Sequence, residues 1–121
     1  MVADIQQQTA AVVEQIRRDQ GICVKTFHES GFGNDHDLPV PSAALFAQIV
    51  QAAHAAKMPV LLHASSLQAQ RFGAEGGADI LVHGMWTWEA GSEPDQLPGP
   101  VTAVLDRIVS QRIGYMPTLQ V

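Results

Sequence analysis

Residues 60–64, Val-Leu-Leu-His-Ala, and residues 80–84, Ile-Leu-Val-His-Gly, are two short apolar runs, and each has a histidine near its end. Both runs are typical of buried strands, because they are short and apolar along their length. A third run, residues 22–25, Ile-Cys-Val-Lys, ends in a lysine. In a parallel α/β barrel, the carboxyl ends of the strands are where the chemistry takes place. Two histidines and a lysine at such ends therefore indicate a metal centre.

Helical segments separate these strands. Apolar residues recur at steps of three and four, which is the period of a helix with one buried face. Helices are predicted in residues 2–16, 42–53, 67–75 and 99–109. A further strand is predicted over residues 113–115, and Pro117 marks its end. Residues 28–40 and 84–98 contain glycine, proline and short polar residues, and they are predicted to be loops.

Strands that alternate with helices predict right-handed βαβ units and a parallel sheet. The fold class is therefore α/β, as a partial (β/α)8 TIM barrel of about four βα units, since a complete barrel has eight strands and about 250 residues. Residues 1–121 are expected to form a single segment from the central part of such a barrel, with a small open-sheet domain as the alternative. Alternation along the strands predicts that Lys25 shares a face with Phe27, His63 with Leu61, and His83 with Leu81.

Composition narrows the function classes. The 121 residues are 46% hydrophobic, as expected for a globular chain. The net charge is −5 and no basic patch is visible, which gives no support for nucleic-acid binding. The apolar runs are far shorter than the roughly 20 residues of a membrane span. No signal peptide is recognisable, so the cytoplasm is the favoured compartment.

Four motifs occur in an order and spacing that resemble the amidohydrolase superfamily, in particular its imidazolonepropionase-like and prolidase-like members. The motifs are Val24-Lys25, the helix end Ala-Ala-His-Ala-Ala-Lys at 52–57, the strand at 60–64, and Gly-Gly-Ala-Asp-Ile-Leu-Val-His-Gly at 76–84. The resemblance extends from about residue 21 to residue 121. It implies a (β/α)8 barrel with one or two divalent metal ions, Zn²⁺ being the expected metal, at the carboxyl ends of the strands.

The resemblance also implies roles for the three strand-end residues. His63 and His83 would be the metal-binding histidines of the fifth and sixth barrel strands. Lys25 would be the lysine of the fourth strand, which is carboxylated in binuclear members so that its carbamate bridges both metals. Neutral imidazole is a good zinc ligand and a carbamate supplies an anionic oxygen, whereas an unmodified ammonium has no lone pair to donate.

The implied activity is metal-dependent hydrolysis of carbon–nitrogen bonds in small-molecule amides, cyclic amides or peptides. Two parts of the family pattern are missing from this sequence: the His-x-His of the first strand and the aspartate of the eighth, which acts as the base. The chain is therefore expected to hold at most half of a metal site and no catalytic base. On its own, we expect it to be inactive.

Several alternatives remain open. His63 and His83 could be strand-end histidines bonded to the backbone, and Lys25 could bind a substrate carboxylate or extend into solvent. His28 and Trp86 are candidate substrate contacts, although an exposed loop residue is the default interpretation of His28, and Trp86 could equally pack under its own loop. A non-catalytic α/β domain that binds a partner or small ligand is the alternative function. Self-association through open sheet edges, giving a homo-oligomer, is also expected for an apolar parallel sheet.

Overall fold

The computed structural model describes residues 2–32, 35–87 and 96–118. The elements in chain order are α1 (Val2–Arg18), β1 (Val24–Phe27), β2 (Gly31–Phe32), β3 (Asp35–His36), α2 (Ala43–Ala55), β4 (Val60–His63), α3 (Leu67–Gly76), β5 (Ile80–Val82), α4 (Gly99–Ser110) and β6 (Gly114–Met116). Within the part of the chain that is described, no helix is both long and apolar enough to cross a bilayer.

Four strands form one parallel sheet in the order β1-β4-β5-β6. Because α2, α3 and α4 connect successive strands of this sheet, the architecture is the βα repeat of a barrel wall. The predicted α/β fold, a partial βα barrel, is confirmed. In the register, Phe27 lies opposite His63, and His63 opposite Val82, so the carboxyl ends of three strands meet at one edge of the sheet.

The helix boundaries follow capping residues in the sequence. Ser42 accepts a hydrogen bond from the backbone N–H of Leu45 at the start of α2, and Ser66 accepts one from Ala69 at the start of α3. Gly77 ends α3 with φ +92°, a left-handed conformation that glycine adopts without steric cost. These caps fix where each helix begins or ends relative to the sheet.

The segment predicted as a polar loop over residues 28–40 contains additional structure. Strands β2 and β3 pair in an antiparallel two-stranded sheet, with Gly31 opposite His36 and Phe32 opposite Asp35. Two-residue strands have no apolar periodicity, so the sequence pattern could not distinguish them from a loop. The hairpin follows directly after β1 and therefore begins near the carboxyl edge of the sheet.

The core lies between the helices and one face of the parallel sheet. Phe46, Val60, Leu62 and Leu81 are fully buried there. The close approach of α3 to the sheet depends on Gly73, because a Cβ at this position would lie 2.7 Å from Cδ2 of Leu62 and 2.7 Å from Cδ2 of Leu81. Both leucines are packed on all sides, so neither can move away easily.

The opposite face of the sheet is open. Phe27 on β1 and Met116 on β6 are 57% and 50% exposed. In a complete barrel this face would line the interior, where the side chains of all strands pack against one another. The exposed apolar side chains therefore mark a surface that this chain does not cover.

We predict that Gly73→Ala lowers the free energy of unfolding by about 1–2 kcal/mol. Alanine is the better helix former, by about 1 kcal/mol, but the methyl group overpacks the core against Leu62 and Leu81. Urea denaturation of the variant beside Gly99→Ala provides the measurement, since a Cβ at Gly99 meets nothing within 4 Å. If Gly73→Ala is as stable as the starting protein, the proposed close packing of α3 on the sheet is wrong.

Candidate metal centre

His63 is the last residue of β4, and its side chain lies on the open face of the sheet. Leu62 points to the other face, toward α3, so strand alternation directs His63 away from the helices. The ring of Phe27, the neighbour of His63 in the register, lies 5.4 Å from the imidazole between centroids. His63 is only 6% exposed, although the face around it is open.

The side chain of His83 lies beside that of His63, but regular strand alternation does not place it there. The sequence predicted that His83 shares a face with Leu81; because Leu81 packs against α3, regular alternation would direct His83 toward the helices as well. That prediction is wrong, because β5 ends at Val82 and His83 has φ +79°. The left-handed backbone breaks the alternation, and the His83 ring lies 4.5 Å from that of His63, nearly edge to face.

The backbone on either side of His83 is held by the neighbouring strand. The N–H of His83 donates to the carbonyl of Met116 at 2.8 Å, and the N–H of Gly84 donates to that of Pro117 at 2.9 Å. A positive φ at a residue other than glycine persists only where surrounding contacts determine it. These two hydrogen bonds extend the pairing between β5 and β6 past His83 and supply such contacts.

The environment of His83 keeps its imidazole neutral. Burial lowers the pKa of His83, and the electrostatic interactions with His63 and Lys25 lower it further, against a smaller opposing effect of Glu29. Nδ1 of His83 is buried and has no hydrogen-bond partner among the residues that the structure describes. A buried polar atom is normally paired, and a neutral ring nitrogen with a lone pair is the form that binds a metal.

Glu29 is the third side chain of the cluster formed with His63 and His83, and the sequence analysis did not identify it. Its Oε2 lies 3.2 Å from Nε2 of His63 and accepts a hydrogen bond of 2.6 Å from the hydroxyl of Ser65. Burial raises the pKa of Glu29, but hydrogen bonds from Ser65, His63 and the Gly31 N–H outweigh it and hold the pKa below its usual value. One signal in the sequence could have identified Glu29, namely its even spacing from Lys25, which predicts the same face.

Lys25 lies on the open face of β1, as predicted, and its side chain is exposed. Its Nζ is 5.5 Å from the centroid of the Phe27 ring, within the range of a cation–π contact. The charge of Lys25 contributes to the lowered pKa of His83, two strands away. The charge of Lys25 therefore affects His83 from a distance, while the ammonium group itself lies against the Phe27 ring.

His28 lies on the other side of the sheet from this group. It is three positions after Lys25, an odd spacing, so strand alternation directs it to the opposite face. There it is buried, with its ring 4.5 Å from that of Phe72 on α3, and burial lowers its pKa. The structure thus corrects the expectation of an exposed loop residue, and this position does not favour the predicted substrate contact.

Trp86 stands beside His83 and is exposed. Its ring is 5.5 Å from the His83 imidazole, and its backbone N–H donates to the carbonyl of Ser65 at 2.8 Å. The Ser65 carbonyl also receives the N–H of Thr87. The segment after β5 is therefore tied to the segment after β4, while residues 88–95 of the predicted loop lie outside the described residues.

His63 and His83 fit two ligands of a divalent-metal site. Their rings are adjacent, and the orphaned Nδ1 of His83 is a donor atom that a cation would satisfy. No group of three or more His, Cys, Asp or Glu side chains arranged to hold a metal ion occurs in residues 2–32, 35–87 and 96–118. The remaining ligands would have to come from a modified Lys25 or from outside these residues.

Gln70 lies on the helix side of the sheet and connects the segments that contain or follow the two histidines. It is fully buried on α3, and its Nε2 donates to the carbonyl of Ala64 at 3.1 Å and to the hydroxyl of Tyr115 at 2.7 Å. The same hydroxyl accepts the N–H of Met85 at 3.2 Å. One buried amide thus connects the residue after His63, the segment after His83 and strand β6.

Known proteins are similar to this chain in fold. Neither a protein-family model nor a curated protein sequence matches it. A Xaa-Pro dipeptidase with methionine bound in its active site aligns with 93% of the chain at 19% identity and a TM-score of 0.69. An uncharacterised protein aligns with 91% at 18% identity and 0.66, and phenylurea hydrolase B with 91% at 24% identity and 0.63.

The chain spans about a quarter of the length of each of these structures, 25%, 25% and 24%. The similarity is therefore to one part of each larger protein. At the level of the fold, it confirms the partial βα barrel.

We predict that Gln70→Leu lowers the free energy of unfolding by about 1–2 kcal/mol, because the Ala64 carbonyl and the Tyr115 hydroxyl each lose a buried donor. The unpaired Oε1 of Gln70 is removed as well, which offsets part of the loss. Gln68→Leu, at an exposed position on the same helix, is the matched control and should change stability by less than about 0.5 kcal/mol. Equal stabilities of the two variants in chemical denaturation would contradict the supporting role of Gln70.

Proposed function

We propose that the protein is part of a metal-dependent hydrolase of the amidohydrolase superfamily, acting on carbon–nitrogen bonds in amides, cyclic amides or peptides. The observation that carries this proposal is the contact between the rings of His63 and His83, 4.5 Å apart at the carboxyl ends of neighbouring parallel strands. Adjacent imidazoles at this edge of a βα sheet, one of them buried and the other partly buried, are suited to bind a metal.

The fold comparison supports the hydrolytic reaction. Two of the similar structures are, by name, a Xaa-Pro dipeptidase and a phenylurea hydrolase, that is, enzymes for a peptide and for a urea. Both names describe attack of water at a carbonyl carbon that carries nitrogen. A small-molecule substrate of the same kind, bound at the open edge of the sheet, is therefore proposed here.

The proposed ligands on this chain are His63, His83 and Lys25, the last in its carboxylated form. Lys25 is exposed, so that carbon dioxide can reach it, and it shares the open face with His63. The carbamate would form from the neutral amine of Lys25, with release of a proton to solvent. Zn²⁺ is the proposed metal, as one or two ions, because it accepts imidazole and carboxylate-type oxygen together. Residues 1–121 then form the central segment of a barrel, and the exposed Phe27 and Met116 mark the surface that the rest of the barrel would cover.

Each side chain has a defined task in this proposal. When bound, a divalent cation polarises a substrate carbonyl and acidifies water. His83 offers a neutral ring nitrogen, which its burial favours, and the His63 ring lies beside it. Trp86, exposed beside His83, offers an apolar wall for the substrate at the same edge. A base for the proton of water is not among the proposed residues, so hydrolysis by these residues alone is not expected.

The proposal predicts that the protein binds Zn²⁺ and that the histidine pair is responsible. Isothermal titration with Zn²⁺ should give saturable binding, and His63→Ala together with His83→Ala should weaken it by roughly tenfold or more, equivalent to about 1.4 kcal/mol. His54→Ala is the control, because His54 bonds to Asp79 on the helix side of the sheet. Zn²⁺ binding that is lost with His54 and retained without the pair would contradict the proposal.

A further inference from the structure

The carboxylate of Glu29 is the centre of a small hydrogen-bonded group at the carboxyl edge of the sheet. Its Oε2 lies 3.2 Å from Nε2 of His63 and receives the Ser65 hydroxyl at 2.6 Å, and its Oε1 receives the N–H of Gly31 at 3.2 Å. The side chains of His63 and Glu29 are 8% and 14% exposed. Because the contact is largely shielded from water, it orients both side chains more strongly than an exposed pair would.

The hydrogen bonds to Glu29 indicate which side chain supplies the proton that it shares with His63. Both oxygens of Glu29 accept hydrogen bonds, Oε2 from the Ser65 hydroxyl and Oε1 from the Gly31 N–H, as the oxygens of a carboxylate do. A carboxylate can only accept hydrogen bonds. The proton between Glu29 and His63 is therefore assigned to Nε2 of His63.

We propose that Glu29 is a positioning residue, which holds the His63 ring in the rotation that places it beside the His83 ring. Histidines that bind a metal through one nitrogen commonly donate the other N–H to a carboxylate or a carbonyl, and this partner raises their metal affinity. The metal part of this inference rests on the proposed function. The orientation of the ring by Glu29 does not.

Ser65 connects Glu29 to the segment that follows β5. Its hydroxyl holds Glu29 in place, while its carbonyl receives the N–H of Trp86, in the segment that follows His83. A shift of Ser65 would therefore move both sides of the histidine pair. This makes Ser65 the second residue whose removal should loosen His63.

Glu29→Gln tests the proposal, because it removes the charge of the acceptor and preserves its size. The first measurement is proton exchange of the His63 imidazole N–H by NMR at about pH 8, where an ordinary histidine is neutral. The second measurement is the affinity for Zn²⁺ alone by calorimetry. Glu75→Gln is the matched control, since Glu75 is an exposed carboxylate on α3 that faces Arg107 at 3.9 Å.

In the starting protein we expect a His63 N–H resonance that exchanges slowly with water, assigned by its loss in His63→Asn. Glu29→Gln should accelerate this exchange and weaken Zn²⁺ binding by about 10- to 100-fold. Ser65→Ala should act in the same direction to a smaller extent, and Glu75→Gln should change neither quantity.

Unchanged exchange of the His63 N–H in Glu29→Gln overturns the proposal, and so does a loss of Zn²⁺ affinity without a change in exchange. If the starting protein binds no Zn²⁺ and the N–H is still protected by Glu29, the proposed function fails while the positioning role stands. The two measurements therefore separate the two proposals.

Discussion

The left-handed backbone of His83 is the constraint on which the candidate site depends. A strand that continued regularly past Val82 would direct position 83 toward α3, beside Leu81 and away from His63. With φ +79°, the ring instead lies 4.5 Å from that of His63. A residue other than glycine adopts this conformation at a cost of about 1–2 kcal/mol, so the rest of the structure has to stabilise it.

Three kinds of contact provide that stabilisation. Hydrogen bonds from His83 to Met116 and from Gly84 to Pro117 extend the pairing of β5 with β6 beyond the end of β5. The buried amide of Gln70 joins the segments after β4 and β5 through Ala64 and the Tyr115 hydroxyl. Close packing of α3 on the sheet at Gly73 keeps the Gln70 amide against the sheet. The site thus depends on the core behind it as much as on the residues that line it.

The elements themselves were predictable, because apolar periodicity and capping residues determine them locally. The start of α2 at Ser42 and the positions of β4 and β5 in the two apolar runs follow directly from such signals, whereas the end of β5 at Val82 does not, because the pattern extends that strand to His83. Which strand ends meet was also predictable, since the carboxyl ends of successive parallel strands lie at one edge of the sheet.

Side-chain direction at the ends of the strands was less predictable. The face of His83 depends on one dihedral angle that no residue type announces, although histidine is among the residues that tolerate positive φ. His28 was assigned to a loop because its surroundings are polar, yet the strand geometry continues to it and directs its ring to Phe72. Glu29 was overlooked because a single acidic residue in a polar stretch resembles a solvated one.

The most direct test of this arrangement is the distance between the two imidazoles in the metal-free protein. Through-space proton contacts between the rings of His63 and His83, measured by NMR, report it without any ligand. The left-handed turn predicts strong contacts between these rings and none between His83 and the α3 residues that pack on Leu81. Contacts from the His83 ring to α3, in the absence of contacts to His63, would contradict the arrangement on which the candidate site rests.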